Sequence, residues 1–272
     1  MSYRTCPDWP ELMELAPDLQ FKHYALSEVE LPGDAMLGVD VPRDADICCD
    51  IDRHVYFARH TDPRVVEALK HGGVAIPPLS DRRRASVEAF ASRMDPDPGH
   101  SLHVQALCDQ LFDGLMPSFE LGDTEREWLA AAARLHDIGF SLSEKGHHKH
   151  GAYLVRNAPL QGFWPEEVEI IAQVVRHHRG KAPDPGKHEA FRQLAPWHQA
   201  TVAKLAAILR AADALDRRRR QAVKHVRVED DGESLCLVAE GQGDLRAEAE
   251  AFQDKGRLLM KLLDRPLGLA LG

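Results

Sequence analysis

Long apolar runs are missing from this 272-residue chain. No stretch approaches the roughly 18 consecutive apolar residues that a bilayer-spanning helix needs, which speaks against a membrane protein. Cysteine is sparse. Cys6, Cys48, Cys49, Cys108 and Cys236 form no CxxC spacing and, being odd in number, cannot all pair. That argues against both a disulfide framework and a thiolate zinc site. Basic charge is short as well, with 34 Lys and Arg against 43 Asp and Glu and a net charge of −9. A general binder of nucleic-acid polymers is not expected from that balance. The opening "MSYRTCPDWPELMELAPDL" places charges and prolines where a signal peptide would need an apolar segment, so the expected location is the cytoplasm.

Histidine, by contrast, is abundant. There are 15, most of them between His100 and His225. The remaining composition, 44% hydrophobic and 28% charged, is that of an ordinary globular chain. Its length suits one large domain or a main domain with an appendage.

Three regions separate by pattern. Residues 1–79 carry prolines, short apolar runs (Ile47-Cys48-Cys49, Val55-Tyr56-Phe57) and one helical segment near Pro63–His71, and they read as a small α+β region. The stretch "ICCDIDRHVYF" is expected to form a buried strand rather than a second site around His54, His60, Cys48 and Cys49. Residues 80–220 are helical throughout. One helix begins near Ser86 and stops at Asp95-Pro96-Asp97-Pro98-Gly99; on the next, Leu102, Leu107, Leu111, Phe112 and Leu115 are expected to share a face. Asp123 or Thr124 would cap a helix running through Trp128 into "ARLHDIGF". Further helices are expected at about 149–157, 165–178 and 198–216, with Pro165 in a first turn. From 221 to 272 the period changes to strand alternation (Val223 to Glu229), a turn at Asp230-Asp231-Gly232, a second strand at Leu235–Val238, a helix from 245 to 263 and a short apolar end at 267–271. The fold class is therefore mainly α: a small α+β region at 1–79, then a domain at 80–272 made of a helical core (80–220) and a C-terminal hairpin–helix cap (221–272).

Polar clusters interrupt the helices at their ends. His100 and His103 open one, and His136-Asp137 close another. His147, His148 and His150 lie in "EKGHHKHGAYLVRN", His177-His178 close "EIIAQVVRHHRG", and Asp213 sits in "LRAADALDRRRR". Imidazole and carboxylate ligands suit divalent Mn, Fe, Co, Ni or Zn. By itself His136-Asp137 reads as a cap or a satisfied core pair. Adjacent helical residues point about 100° apart, so they can share an ion only where a helix loosens, and Gly139 is expected to supply that end.

The ordered set changes the reading. His100, His136-Asp137 and Asp213, in the contexts "HSLHV", "LHDIG" and "RAADALDR", resemble the HD-domain phosphohydrolases. A narrower resemblance spans roughly Arg83 to Leu271. There "HHKHGAYLVRN", "LQGFWPEEVEIIA", "VVRHHRG" and the closing hairpin–helix look like the C-terminal part of the exopolyphosphatase and guanosine-pentaphosphate phosphatase (Ppx/GppA) proteins. In that family, catalysis on polyphosphate belongs mainly to an actin-like N-terminal fold with glycine-rich phosphate loops. Residues 1–79 are too few for it and contain no such loops.

The resemblance implies an HD-type helical bundle binding two divalent ions (Mn, Fe, Co, Ni, Zn or Mg). His100, His136, Asp137 and Asp213 would hold the first. His177 and His178 would hold the second together with His147 or His150, a choice the residues leave open, and Asp137 would bridge. Water activated by the ions would attack a phosphate ester or anhydride of a small anionic substrate, such as a nucleotide, an alarmone or a polyphosphate-like chain. Lys145 and Arg179 beside the histidines are assigned to catalysis with Asp137, and Lys149, Arg176, Lys181 and Arg217 to substrate binding. The rival reading is a regulatory module that binds a metal or nucleotide without turnover. Residues 1–79 would shape the pocket, cover the helical domain or form a homodimer.

Overall fold

The computed structural model describes residues 79–272 and, ahead of them, three strands at 22–25, 46–50 and 55–58. The chain divides into two compact units, Met1–Ala85 and Ser86–Gly272. In the first, β1 (Lys22–Ala25), β2 (Asp46–Asp50) and β3 (Val55–Ala58) pair antiparallel in that order. The expected single strand in "ICCDIDRHVYF" is thus two, with Asp50 opposite Val55. The charged Asp50, Asp52 and Arg53 separate its two apolar halves. The expected helix at 63–71 lies outside the described residues.

The second unit is mainly helical. Helix α1 (Leu79–Met94) crosses the division between the units and ends at the Asp95–Gly99 breaker. In α2 (Pro98–Phe119), Pro98 takes the first turn and the Asp97 carboxylate caps the amide of His100 at 3.3 Å. Val104, Leu107, Cys108, Leu111, Phe112 and Leu115 form its buried stripe. Leu102 does not belong to it and is 48% exposed. Two residues before Val104, it lies about 200° around the helix from the stripe.

Helix α3 (Asp123–Leu135) starts one residue earlier than a cap at Asp123 would allow. Gly122 is the N-cap, and Glu125 reaches back to accept from its amide at 2.9 Å, while Asp123 lies in the first turn. After a 3₁₀ turn (Ile138–Ser141) come α4 (His147–Arg156), α5 (Pro165–His177), the short α6 (Glu189–Arg192) and α7 (Pro196–Leu215). Pro165 occupies the first turn of α5, where Glu167 accepts from the Trp164 amide at 2.7 Å and from Trp128 Nε1 at 3.0 Å, tying α5 to α3. Helix α7 is buried on almost every side from Val202 to Leu215, as a central helix must be, and packs on α2, α3 and α5.

The cap begins with the expected hairpin. β4 (Val223–Asp230) and β5 (Leu235–Gly241) pair antiparallel up to Asp230 opposite Leu235. The Asp231 carboxylate accepts from the turn amide of Ser234 at 2.6 Å. The expected long helix is two, α8 (Arg246–Lys255) and α9 (Arg257–Leu263). The break falls at Gly256, where a Cβ would come within 2.6 Å of the Phe252 carbonyl. The apolar end is a strand, β6 (Leu267–Leu271), pairing parallel with β5. Among the described residues no helix is long and apolar enough to cross a membrane.

Candidate metal centre

Helix α3 stops at Leu135, and the next two residues leave helical geometry in steps. His136 is still right-handed (φ −63°, ψ −32°), whereas Asp137 falls at φ −104°, ψ 2°. That loosening turns both side chains into one buried space, with His136 Nε2 3.5 Å from Asp137 Oδ2. Gly139 does not end the helix by a left-handed residue, as the sequence suggests. Its place is dictated by contact, because a Cβ there would lie 2.0 Å from the His147 carbonyl and 2.5 Å from the Gly151 amide nitrogen. Only glycine lets the start of α4 press against the 3₁₀ turn, and that approach delivers His147 beside Asp137.

Two ligand sets converge on Asp137, and its two oxygens divide between them. Oδ2 faces His136 and, at 3.8 Å, His100 Nε2, which is itself 3.5 Å from Asp213 Oδ1. Oδ1 faces His147 Nε2 at 3.5 Å and His178 Nε2 at 3.7 Å. His100, His136 and Asp137 are mutually close enough to hold one ion, and Asp137, His147 and His178 another. Ligands about 2.1 Å from a common ion stand roughly 3.0–3.4 Å apart, so each set needs to close only slightly.

The hydrogen bonds fix the imidazole tautomers. Nδ1 of His136 lies 2.7 Å from the Ala133 carbonyl, Nδ1 of His147 3.1 Å from that of Glu144, and Nδ1 of His178 2.8 Å from that of Val175. Nδ1 of His100 lies 2.8 Å from Asp216 Oδ2. Carbonyls and carboxylates only accept, so each Nδ1 carries a proton, and in the neutral ring Nε2 presents a lone pair; His100 reaches that form on giving up the second proton that its carboxylate neighbours favour. Nε2 of His100 and of His136 has no hydrogen-bond partner although buried. Nε2 of His147 and of His178 face each other at 3.3 Å. Burial pushes both of these histidines down from their ordinary pKa, so both are neutral near pH 7. Two lone pairs at that distance repel unless a cation stands with them. The donors present therefore fit two divalent ions.

The carboxylates are ionised. Burial opposes this at Asp137, yet the His136 and His178 imidazoles and the Arg219 guanidinium hold it down to about 2. Asp213 is likewise kept well below the usual range, against burial, by His100 and Lys255. His100 goes the other way: burial lowers it, but Asp213 and Asp216 raise it to about 9.

Asp137, His147, His178 and Asp213 form the floor of a cleft of about 830 Å³. Arg179, Arg210, Arg217, Arg219 and Lys255 ring it. Of the residues singled out in the sequence, His100, His136, Asp137, His147, His178 and Asp213 come together, and Arg179 and Arg217 stand on the rim. Others stand apart. His177 is buried, but its ring packs edge-on against His188 and Phe191 and its Nδ1 lies 3.3 Å from the Lys181 carbonyl. His150 sits three residues beyond His147, about 4.5 Å further along α4, and joins neither set. Lys145, Lys149 and Lys181 are exposed and Arg176 half-buried, and none lines the cleft.

Asp216, Arg210 and Lys255 escape the sequence reading, and Arg219 enters it only as part of the Arg217–Arg220 run. Asp216, behind His100, had a signal, since it follows Asp213 by the three residues that place two side chains on one helix face. Arg219 is one of four consecutive arginines with nothing to distinguish it. Arg210, which donates to the Gly180 carbonyl at 3.0 Å, and Lys255, which donates to Asp213 Oδ2, have no pattern around them at all.

A helical domain thus carries a buried histidine–aspartate cluster that could hold metal ions, beneath a cleft ringed by cationic side chains. Residues 82–250 match the model of the family described as Ppx/GppA phosphatase, domain III. The match covers more than half of the chain and includes every residue of both ligand sets, so the chain belongs to this family.

Proposed function

We propose that the domain is a metal-dependent phosphohydrolase of the HD type that cleaves a phosphate ester or anhydride of a small anionic substrate with water. The observation that carries this reading is the 3.3 Å contact of two unprotonated Nε2 atoms, His147 and His178, beside Asp137 Oδ1. A purely structural cluster would gain by protonating one of the two; the long 3.5 Å contact from Arg179 Nη1 to His147 Nε2 leaves the pair open to a metal cation.

Bound there, divalent ions supply an acidified water near neutral pH and counter-charge for phosphoryl oxygens. The chain's own residues do the rest. Asp137 offers one oxygen to each set and holds the two in register. Asp216 orients His100 through Nδ1, as second-layer carboxylates orient metal-bound imidazoles. Arg179, exposed at the rim with Nη1 3.5 Å from His147 Nε2, is placed to meet a phosphate entering the cleft. Membership of a phosphatase family supports the reaction class; the mixture of imidazole and carboxylate ligands supports the metals.

The test is elemental analysis of protein purified with Mn or Fe supplementation, combined with a screen of nucleotides, polyphosphate and simple phosphate esters. Bound metal with turnover is expected, and Asp137→Ala should lose both. Protein that takes up no metal and is inert throughout the screen overturns the proposal. Metal without turnover would favour a non-catalytic regulatory module.

A further inference from the structure

Each anionic ligand in the centre already has a cation against it. Lys255 Nζ donates to Asp213 Oδ2. Arg219 Nη2 donates to Asp137 Oδ2 at 2.5 Å, and its Nη1 donates to Asp97 Oδ2 at 2.9 Å. Asp137 Oδ2 is the same oxygen that faces His100 and His136. A dication held by those three groups and a guanidinium on that oxygen would repel each other at close range in a poorly screened site.

The backbone is shaped to put Arg219 there. Arg219 and Gln221 both adopt left-handed conformations, with φ of 54° and 48°, which side chains other than glycine rarely take. The turn is held by the Gln221 amide donating to Asp216 Oδ1 at 2.7 Å. Asp216 thus braces His100 with one oxygen and the Arg219 turn with the other. The guanidinium also lies 5.4 Å over the Phe140 ring, which stacks on His147 at 3.9 Å. A strained turn over a cleft, with its side chain gripped by the pivotal ligand, is the kind of feature that function maintains.

We infer that Arg219 has two positions. Without metal it is the counter-ion of Asp137. When an ion takes Asp137 Oδ2, Arg219 is displaced into the cleft it already lines, still tethered at Asp97, and its planar fork binds the substrate's phosphate. The inference rests on the metal-dependent reading above. It makes Arg219 a substrate-binding residue whose availability depends on metal loading, so that phosphate binds well only to the loaded protein.

The test is Mn²⁺ titration by calorimetry of wild type, Arg219→Gln and Arg219→Lys, followed by inorganic phosphate titration of each Mn²⁺-loaded protein. Removing the competing guanidinium should tighten Mn²⁺ binding by about tenfold, within the usual range for coupled ligands. The same variant should bind phosphate on the order of tenfold to a hundredfold more weakly, the loss expected for hydrogen bonds to a charged group. Arg219→Lys, which keeps the charge without the fork, should fall between on both measures. The opposed signs separate this role from a structural one, which would weaken both. Mn²⁺ binding unchanged or weaker in Arg219→Gln, or phosphate binding unchanged, overturns the inference while leaving the metal centre standing. Wild-type protein that binds no Mn²⁺ overturns the metal reading and this inference with it.

Discussion

At His100 three acidic groups act on one imidazole, with Asp216 on Nδ1 and Asp213 and Asp137 beside Nε2. With a pKa of about 9 in the metal-free cleft, the ring is protonated at pH 7. An ion needs the bare Nε2, so binding must expel a proton from His100. Affinity is therefore expected to rise by about tenfold per pH unit from pH 7 and to level off once pH passes 9. Isothermal titration in two buffers of different ionisation enthalpy would detect the released proton. Asp216→Ala should weaken metal binding by roughly 10–100-fold, the usual effect of removing such an orienting carboxylate, and should move the levelling-off to lower pH. A pH-independent affinity would show that His100 binds no ion.

Among the elements, the junction of the 3₁₀ turn with α4 controls whether the second ligand set exists. Gly139 permits it, and Gly151 on α4 faces the same contact, its added Cβ meeting the His136 carbonyl at 3.5 Å. Gly139→Ala forces a methyl into backbone that cannot yield, unlike the tip of a flexible side chain. The expected cost is about 3 kcal/mol, at the upper end for overpacking, read as a lowered midpoint in denaturant. Because the displaced backbone carries His147, metal content should fall towards one ion per chain while His100 and His136 still bind. A Gly139→Ala protein with wild-type stability and two ions would refute this account of the junction.

Over the whole helical unit, buried charge ties the parts together. Arg134, 2% exposed, donates to both Glu88 oxygens at 2.8 Å, to Asp95 Oδ2 at 2.5 Å and to Ser101 Oγ at 2.8 Å. It joins α1, the α1–α2 breaker and the first turn of α2 to α3, two residues before His136. Removing one partner of such a network leaves the Asp95 carboxylate, whose side chain is 1% exposed, without its cation. Arg134→Ala is expected to cost about 3–5 kcal/mol in chemical denaturation. A loss below about 1 kcal/mol, the worth of an exposed pair, would mean that water replaces the arginine. The cap is fastened by similar means, Arg218 gripping the buried Glu248 of α8 through Nε at 2.9 Å and Nη2 at 2.7 Å. That docking carries Lys255, at the end of α8, to the cleft.

What the sequence determined by itself was local and periodic. The 3.6-residue stripe of α2, Pro165 at the start of α5 and the Asp230–Gly232 turn depend on near neighbours along the chain, and the ordered His100, His136-Asp137 and Asp213 were legible through their resemblance to a known ligand order. The tertiary structure decided everything that depends on which way a helix end faces. It brought His147 rather than His150 to Asp137, because the close approach at Gly139 seats the start of α4, whose first residue is His147, while His150 lies about 4.5 Å further along the helix. It turned His178 inward and His177 towards His188, since adjacent residues at a helix end diverge by about 100°. It also selected Arg219 from four arginines by a left-handed turn, and brought Lys255 to Asp213 from 42 residues away. Cations that close on a site from other elements leave no periodic trace, because their placement follows from packing and not from spacing along the chain.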